Sequence, residues 1–191
     1  MYHQYMPLPR FMRLADTRRR EILMIARRGL ADDMSYNQII SAAGISKTSA
    51  YLYFDGKQDL IDEVLRDLAS DLAEVLGPWN PAAGVDEFWA ALQAGDDRLL
   101  GHLLGNPTDA SLLARWHDDV SVGFADAWVR AIVEDGRGLG VIRTDIEIEL
   151  LVLATAAVLR AVDNWAVTSL ARCEPVRPEA TRQLLAGLWS S

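Results

Sequence analysis

The feature that most constrains the fold is a pair of short helical segments, over 35–43 and 47–53, separated by Gly44-Ile45-Ser46. Glycine can adopt the positive φ that ends a helix, an isoleucine in the turn can enter a core, and the Ser46 hydroxyl can cap the next helix. Two short helices around a glycine-containing turn are typical of a helix-turn-helix, whose second helix can enter the major groove of DNA. The spacing therefore predicts a DNA-binding motif near the amino terminus.

The overall charge argues against this interpretation, but the distribution of charge favours it. The formal net charge is −8, and duplex phosphates repel an acidic protein. Residues 1–60, however, contain nine Lys or Arg and six Asp or Glu, whereas residues 61–191 contain ten and twenty-one, together with all six tryptophans. The chain is therefore predicted to combine a small basic part with a larger acidic, aromatic part.

Hydrophobic periodicity predicts an all-α fold, since no segment has the pattern of a strand. The other predicted helices span 16–31, 57–76, 85–94, 97–105, 108–136, 145–171 and 178–189, with a break at Gly95. The predicted domains are a flexible basic arm over 1–15, a three-helix helix-turn-helix domain over 16–56, a connecting helix over 57–77 and a carboxy-terminal helical bundle over 78–191.

The helix-turn-helix segment also carries a more specific pattern. Residues 39–54 read IISAAGISKTSAYLYF and are followed by Lys57 and Leu60. This stretch resembles the TetR family of transcriptional regulators, whose pattern runs I-A-x-x-A-G-V-S-x-G-x-L-Y-x-Y/H-F before a lysine and a leucine. Ile40 stands where the family usually has alanine, Ala50 stands where it usually has a larger residue, and the connection between the first two helices lacks its usual glycine.

The resemblance implies which side chains meet DNA. The second helix of the motif would lie in the major groove with Lys47, Thr48 and Ser49 nearest the bases, while Tyr51, Tyr53 and Lys57 hold phosphates. Ser46 completes this group of DNA-binding candidates. Hydroxyl and ammonium groups suit both tasks. Two alternatives stay open: Tyr51 as a core aromatic, and Lys57 as a solvated residue of its helix.

The resemblance also implies an effector pocket and a dimer interface in the larger domain. The effector-binding candidates are Trp89, Trp116, Phe124, Trp128, Asp163 and Trp165. Two alternatives stay open: aromatic rings that fill the core, and a surface ion pair between Asp163 and Arg160. Ala154, Ala157 and Ala161 form a small-residue stripe that, with 178–189, is the predicted dimer face. A two-fold dimer would read a palindromic operator.

Other classes of function find little support. The three histidines are scattered, nucleophile signatures and phosphate-binding glycine motifs are missing, and nothing indicates a metal or another cofactor, so an enzyme is not expected. A single cysteine, Cys173, and the lack of a leader or a long apolar run predict a cytoplasmic protein that does not bind membranes. We expect a repressor that a small-molecule effector releases from operator DNA; the alternative is an acidic helical protein-interaction module without DNA binding.

Overall fold

The computed structural model describes residues 9–120, 124–171 and 179–190, and the side chains of 117–120, 124–126, 167, 170 and 171 also lie outside the description. The regular structure of the described residues is helical, which confirms the all-α prediction. The helices are α1 (Pro9–Met12), α2 (Asp16–Ala31), α3 (Tyr36–Ala42), α4 (Lys47–Tyr53), α5 (Gly56–Leu76), α6 (Val85–Gly105), α7 (Pro107–Val120), α8 (Phe124–Gly138), α9 (Ile148–Ala171) and α10 (Glu179–Trp189). None of these described helices is both long enough and apolar enough to cross a membrane.

The chain divides into two compact units. The first, the amino-terminal unit, comprises Met1–Ala69 together with Pro107–Val120, and the second, the carboxy-terminal unit, comprises Ser70–Asn106 together with Ser121–Ser191. The sequence had placed everything after residue 77 in one domain. The structure instead assigns α7 to the same unit as the helix-turn-helix.

In the amino-terminal unit, α2 crosses α3 at very short range. Ile22, Leu23, Ala26 and Leu30 line the buried face of α2. Gly29 lies at the crossing, because a Cβ atom at this position would stand only 2.6 Å from Cγ1 of Ile39. The lack of a side chain therefore allows the two helices to approach, as the close packing of protein interiors requires.

The same unit includes α7 because polar side chains join it to α2. Arg27 is buried on α2 and donates to Asp109 of α7 over 3.4 Å and to Asp67 of α5 over 2.7 Å. A buried guanidinium needs such partners, since an unpaired charge inside a protein is strongly destabilising. The three helices are thus held together by one buried network.

The carboxy-terminal unit has its own core, built from α6, α8, α9 and α10. Its buried members are Phe88, Leu92, Val129, Ile132, Val133, Ile142, Leu151, Val152, Ala156, Leu159, Leu185 and Trp189. The indole N–H of Trp189 donates to Thr155 Oγ1 over 2.9 Å, so the last helix is fixed to α9 by a buried hydrogen bond. A polar group buried at this depth requires a partner of that kind.

Two predicted helix boundaries differ from the structure. The predicted break at Gly95 is missing, and α6 runs without interruption past that position. Gly95 is buried there, and a Cβ atom would lie 3.2 Å from the indole of Trp128, so this glycine provides space for packing and does not end the helix. Conversely, the single helix predicted over 108–136 is interrupted, because the backbone angles of Trp116 in α7 are not helical, and residues 121–123 of this span lie outside the described part of the chain.

Gly29→Ala is expected to destabilise the protein, although alanine is the better helix former. The new Cβ would overlap Ile39, and overpacking of a core costs about 1–3 kcal/mol. Gly101→Ala is the matched control: Gly101 lies inside α6 with no neighbouring atoms around the Cβ position, so alanine should stabilise the protein by about 0.5–1 kcal/mol. Urea denaturation measures the change in the free energy of unfolding for each variant. If the two changes had the same sign, the close approach of α2 and α3 at Gly29 would be contradicted.

Candidate functional site

The turn between α3 and α4 is held by a complete set of backbone hydrogen bonds. Gly44 has a φ of +64°, its N–H donates to the carbonyl of Ser41, and the N–H of Ile45 donates to that of Ile40, both over 3.0 Å. This pair of bonds is the Schellman arrangement, in which glycine avoids the strain that a side chain would add. Arg18 of α2 adds a third bond to the carbonyl of Ala43 over 2.7 Å, so the turn has a fixed geometry.

Ser46 sets the first residue of α4, as the sequence predicted. Its side chain accepts a hydrogen bond from the N–H of Ser49 over 3.1 Å, and its hydroxyl donates to Ser49 Oγ over 2.9 Å. Such a cap satisfies one of the unpaired donors at a helix start. Both serine hydroxyls therefore take part in local bonds that position α4.

The outer face of α4 presents most of the remaining DNA-binding candidates. Lys47 and Thr48 on α4 are exposed, as is Lys57 at the start of α5, and Tyr51 is 68% exposed, so the interpretation of Tyr51 as a core aromatic does not hold. No described carboxylate pairs with either lysine. Tyr53 differs, because its ring is half-buried and packs edge-on against Phe54. The face thus offers hydroxyl and ammonium donors, the groups that bind phosphate oxygens and base edges.

The inner face of α4 rests on α1. The side chain of Phe11 is fully buried, with its ring centroid 4.7 Å from that of Phe54 and 6.1 Å from that of Tyr53. Residues 1–15 had been expected to form a flexible basic arm, and residues 1–8 lie outside the described part of the chain. From Pro9 onwards the segment is a packed element that supports α4.

The connection between α2 and α3 adopts its turn without glycine. Asp33 has a φ of +58°, and the N–H groups of Asp33 and Met34 bond to the carbonyls of Leu30 and Gly29 over 3.2 and 2.8 Å. Aspartate tolerates this region better than most residues do. The two terminal guanidinium nitrogens of Arg115 on α7 donate to the Asp33 carboxylate, over 2.5 and 2.9 Å, and stabilise the turn.

The six effector-binding candidates do not line a single cavity. Trp89 lines a cavity of about 260 Å³ between α6 and α10, while Trp128 lines another of about 420 Å³ with the end of α5. Trp116 belongs to the amino-terminal unit, where Arg115 lies over its ring, and Trp165 is 42% exposed on α9. The side chain of Phe124 lies outside the described residues.

Asp163, the charged candidate, forms a pair with a residue that the sequence did not single out. Burial, and then the charge of Asp96, raise the pKa of Asp163 to about 7. Burial likewise raises the pKa of Asp96 to about 6, an effect that a hydrogen bond from Thr181 partly opposes and the charge of Asp97 increases. Asp96 lines the smaller cavity. The two carboxylates therefore lie within electrostatic reach of each other.

Trp79 is a second residue that sequence reasoning missed. Its ring packs edge-on against Phe88 and Trp128, and its indole N–H donates to Asp135 over 3.0 Å. It lines the larger cavity. Its position after Gly77-Pro78 made it look like part of a linker, and no periodic pattern there could reveal that it packs in the core.

The segment that includes α3 and α4 matches a known sequence family. Residues 24–64 match the profile of bacterial regulatory proteins of the tetR family. This segment therefore carries the DNA-binding pattern of the tetR family. The match covers the end of α2, the helix-turn-helix and the start of α5, which are the elements that position the exposed face of α4. No curated protein sequence matches the chain.

Solved structures extend the TetR likeness to the fold of nearly the whole chain. A TetR-family transcription regulator from Shewanella sp. PV-4 is 13% identical with a TM-score of 0.67, over 90% of this chain and 97% of that one. The fatty acid degradation regulator FadR from Bacillus halodurans is 16% identical with a TM-score of 0.62, over 88% and 97%. A TetR-family regulator from Syntrophomonas wolfei is 15% identical with a TM-score of 0.61, over 90% and 92%. At these identities the likeness concerns the fold alone.

Phe11→Ala is expected to destabilise the TetR-type domain by about 3–5 kcal/mol, since it removes a fully buried aromatic ring. Met12→Ala is the matched control, because Met12 is the next residue and is exposed, so its loss should change stability by less than about 0.5 kcal/mol. Urea denaturation measures both. If the two variants are equally stable, α1 does not support α4 in solution.

Proposed function

We propose that this protein is a ligand-responsive transcriptional regulator, which binds a palindromic operator as a homodimer and is released from it by a small-molecule effector. The observation that carries the proposal is the exposed face of α4 within a TetR-type helix-turn-helix. This face carries hydrogen-bond donors for DNA. The helix is held in position by the Arg18 bond to the preceding turn, by the Ser46 cap and by the packing of Phe11. An acidic interaction module without DNA binding would have no need for this arrangement.

The local charge of the face supports DNA binding despite the acidic chain. Lys47 is exposed on α4 together with Thr48 and Tyr51, Lys57 is exposed in the first turn of α5, and no described carboxylate forms an ion pair with either lysine. Lysine contacts to phosphate supply most of the sequence-independent affinity for a duplex, and they weaken as salt rises. Thr48 and Lys47 are the candidates for base edges, and Tyr51 and Lys57 for phosphates.

An exposed apolar stripe on α9 supports a homodimer. Leu150, Leu153, Ala157 and Ala161 are exposed along one side of this helix, and Leu153 is 61% exposed. Leu184 on α10 is exposed as well. Large apolar side chains arranged in a continuous stripe are typical of protein interfaces, and a second copy of the same chain would bury them by two-fold symmetry.

Two cavities in the carboxy-terminal unit support a response to a ligand. The larger one is lined by Ala73, Leu76 and Trp79, at the end of α5, and by Trp128 on α8. Because α5 is one continuous helix that carries Lys57 in its first turn, a ligand at its far end could shift that residue. An effector acts in this way when it binds one conformation more tightly than the other.

Selection from a pool of random duplex DNA should enrich a palindromic site. The Tyr51→Ala, Lys57→Ala double variant is expected to bind that site about tenfold or more weakly, because it loses two contacts to phosphate on each subunit. Since both side chains are exposed, the variant should keep its melting temperature. Binding is measured by fluorescence anisotropy at several salt concentrations.

Arg130→Ala is the matched control for charge, because Arg130 is a cation of the carboxy-terminal unit whose guanidinium binds Glu149. It should bind the selected site as the wild type does. If no sequence is enriched at any salt concentration, the regulator proposal fails and the interaction-module reading replaces it.

Leu153→Glu is expected to dissociate the dimer, since it places two like charges at a self-complementary apolar interface. The wild type should sediment at twice the chain mass of 21.2 kDa, and the variant at that mass. Leu104→Glu, at an exposed leucine of α6, is the control and should remain dimeric. Analytical ultracentrifugation gives the answer, and a monomeric wild type would contradict the two-fold model.

A further inference from the structure

The smaller cavity of the carboxy-terminal unit has a distinctive chemical lining. It lies between α6 and α10 and has a volume of about 260 Å³. Trp89 supplies an aromatic wall, while Asp86, Gln93 and Asp96 supply polar groups from α6, and Thr181 and Arg182 do so from α10. Its size is just below the usual range for ligand pockets, so it suits a molecule of only a few heavy atoms.

Negative charge exceeds positive charge around this cavity. Asp86 and Asp96 line it, and the charge of Asp96 contributes to the raised pKa of Asp163 on α9. Asp97 adds a further negative charge beside Asp96, and Arg182 is the one cation among the described lining residues. Arg160 lies one turn before Asp163 on α9, and no described ion pair joins the two.

The aromatic wall already holds a cation. The guanidinium of Arg182 lies 5.0 Å from the centroid of the Trp89 ring, a geometry in which the face of the ring attracts positive charge. No described carboxylate forms an ion pair with Arg182, so a competing cation could displace it. Thr181 donates a hydrogen bond to Asp96, the half-buried carboxylate of the lining. The cavity therefore combines a ring that attracts cations with carboxylate acceptors.

We propose that this cavity binds a small primary amine, whose ammonium group is held by Asp96 and whose hydrocarbon part packs on Trp89. An ammonium ion offers three donors, which suit the carboxylates of Asp96 and Asp86 and the amide oxygen of Gln93, all of which line the cavity. It also compensates the negative charge that Asp97 and Asp163 add near Asp96. The inference rests on the proposed function only for the ligand's role as effector, since binding itself requires no DNA.

The proposal predicts how affinity depends on pH. Burial, together with the charge of Asp97, raises the pKa of Asp96 to about 6, and burial, together with the charge of Asp96, raises the pKa of Asp163 to about 7. An ammonium ion binds the ionised carboxylates, so affinity should rise as pH rises through this range, and binding should release protons to the solvent. The amine itself stays protonated, because its pKa is about 10.

The test uses the full chain without DNA and isothermal titration calorimetry. The probes are benzylamine and 1,4-diaminobutane, with benzyl alcohol and 1,4-butanediol as uncharged counterparts. At least one amine should bind at about pH 8, and about tenfold or more weakly at about pH 5.5, where both carboxylates are largely protonated. The alcohols should not bind measurably at either pH.

Asp96→Asn should weaken amine binding by about 10- to 100-fold, the usual effect of losing a charged acceptor. It should fold, because asparagine removes a buried charge and can still accept the Thr181 hydrogen bond, and an unchanged or raised melting temperature checks this. Glu134→Gln removes the same charge from an exposed position on α8 and should change affinity less than about twofold.

The proposal is overturned if neither amine binds at the higher pH, if the alcohols bind as tightly, or if Asp96→Asn binds as the wild type does. The proposed function is tested separately, by adding the amine to the complex with the selected DNA. Amine binding that leaves DNA affinity unchanged supports the site and contradicts its role as effector. Operator binding without any amine binding supports the regulator and overturns the site.

Discussion

The buried guanidinium of Arg27 is the interaction on which the DNA-binding unit depends. It lies on α2 and binds Asp67 of α5 and Asp109 of α7, two carboxylates that are far from it and from each other in sequence. A charge in such a position is tolerated only when its partners are in place, so the three helices must be assembled together. The unit is consequently built from two separated stretches of chain, with α7 inserted between parts of the carboxy-terminal unit.

This assembly explains how a helix as short as α4 can present a defined surface. Isolated helices of this length are not stable in water, so α4 depends on its contacts. The Schellman turn at Gly44 and the Arg18 bond set its direction, the Ser46 cap sets its first residue, and Phe11 packs beneath its last turn. Its outer face carries Lys47, Thr48 and Tyr51, whose exposed side chains are the ones that we propose contact DNA.

The carboxy-terminal unit is held together mainly by apolar packing and not by a buried charge. Its core is apolar and aromatic, and outside that core the unit carries two half-buried carboxylates, Asp96 and Asp163, whose charged forms are disfavoured by burial. Perturbed carboxylates of this kind are commonly found at functional sites, because folding alone gains nothing from them. Asp96 lines a cavity together with Trp89, so its carboxylate faces space for a ligand, unlike the side chains of the apolar core.

Local sequence determined much of this protein. The bounds of α4 follow from Ser46 and the apolar pattern, the helix-turn-helix follows from Gly44, and the resemblance of this segment to tetR-family regulators follows from the residues around them, because caps, turns and periodicity act over a few neighbouring residues. Tertiary structure alone decided that Gly95 lies inside a helix against Trp128, that α7 joins the amino-terminal unit through Arg27, and that Trp89 and Trp128 line different cavities. Those outcomes depend on contacts between residues distant in sequence, and such contacts leave no local pattern from which they could be read.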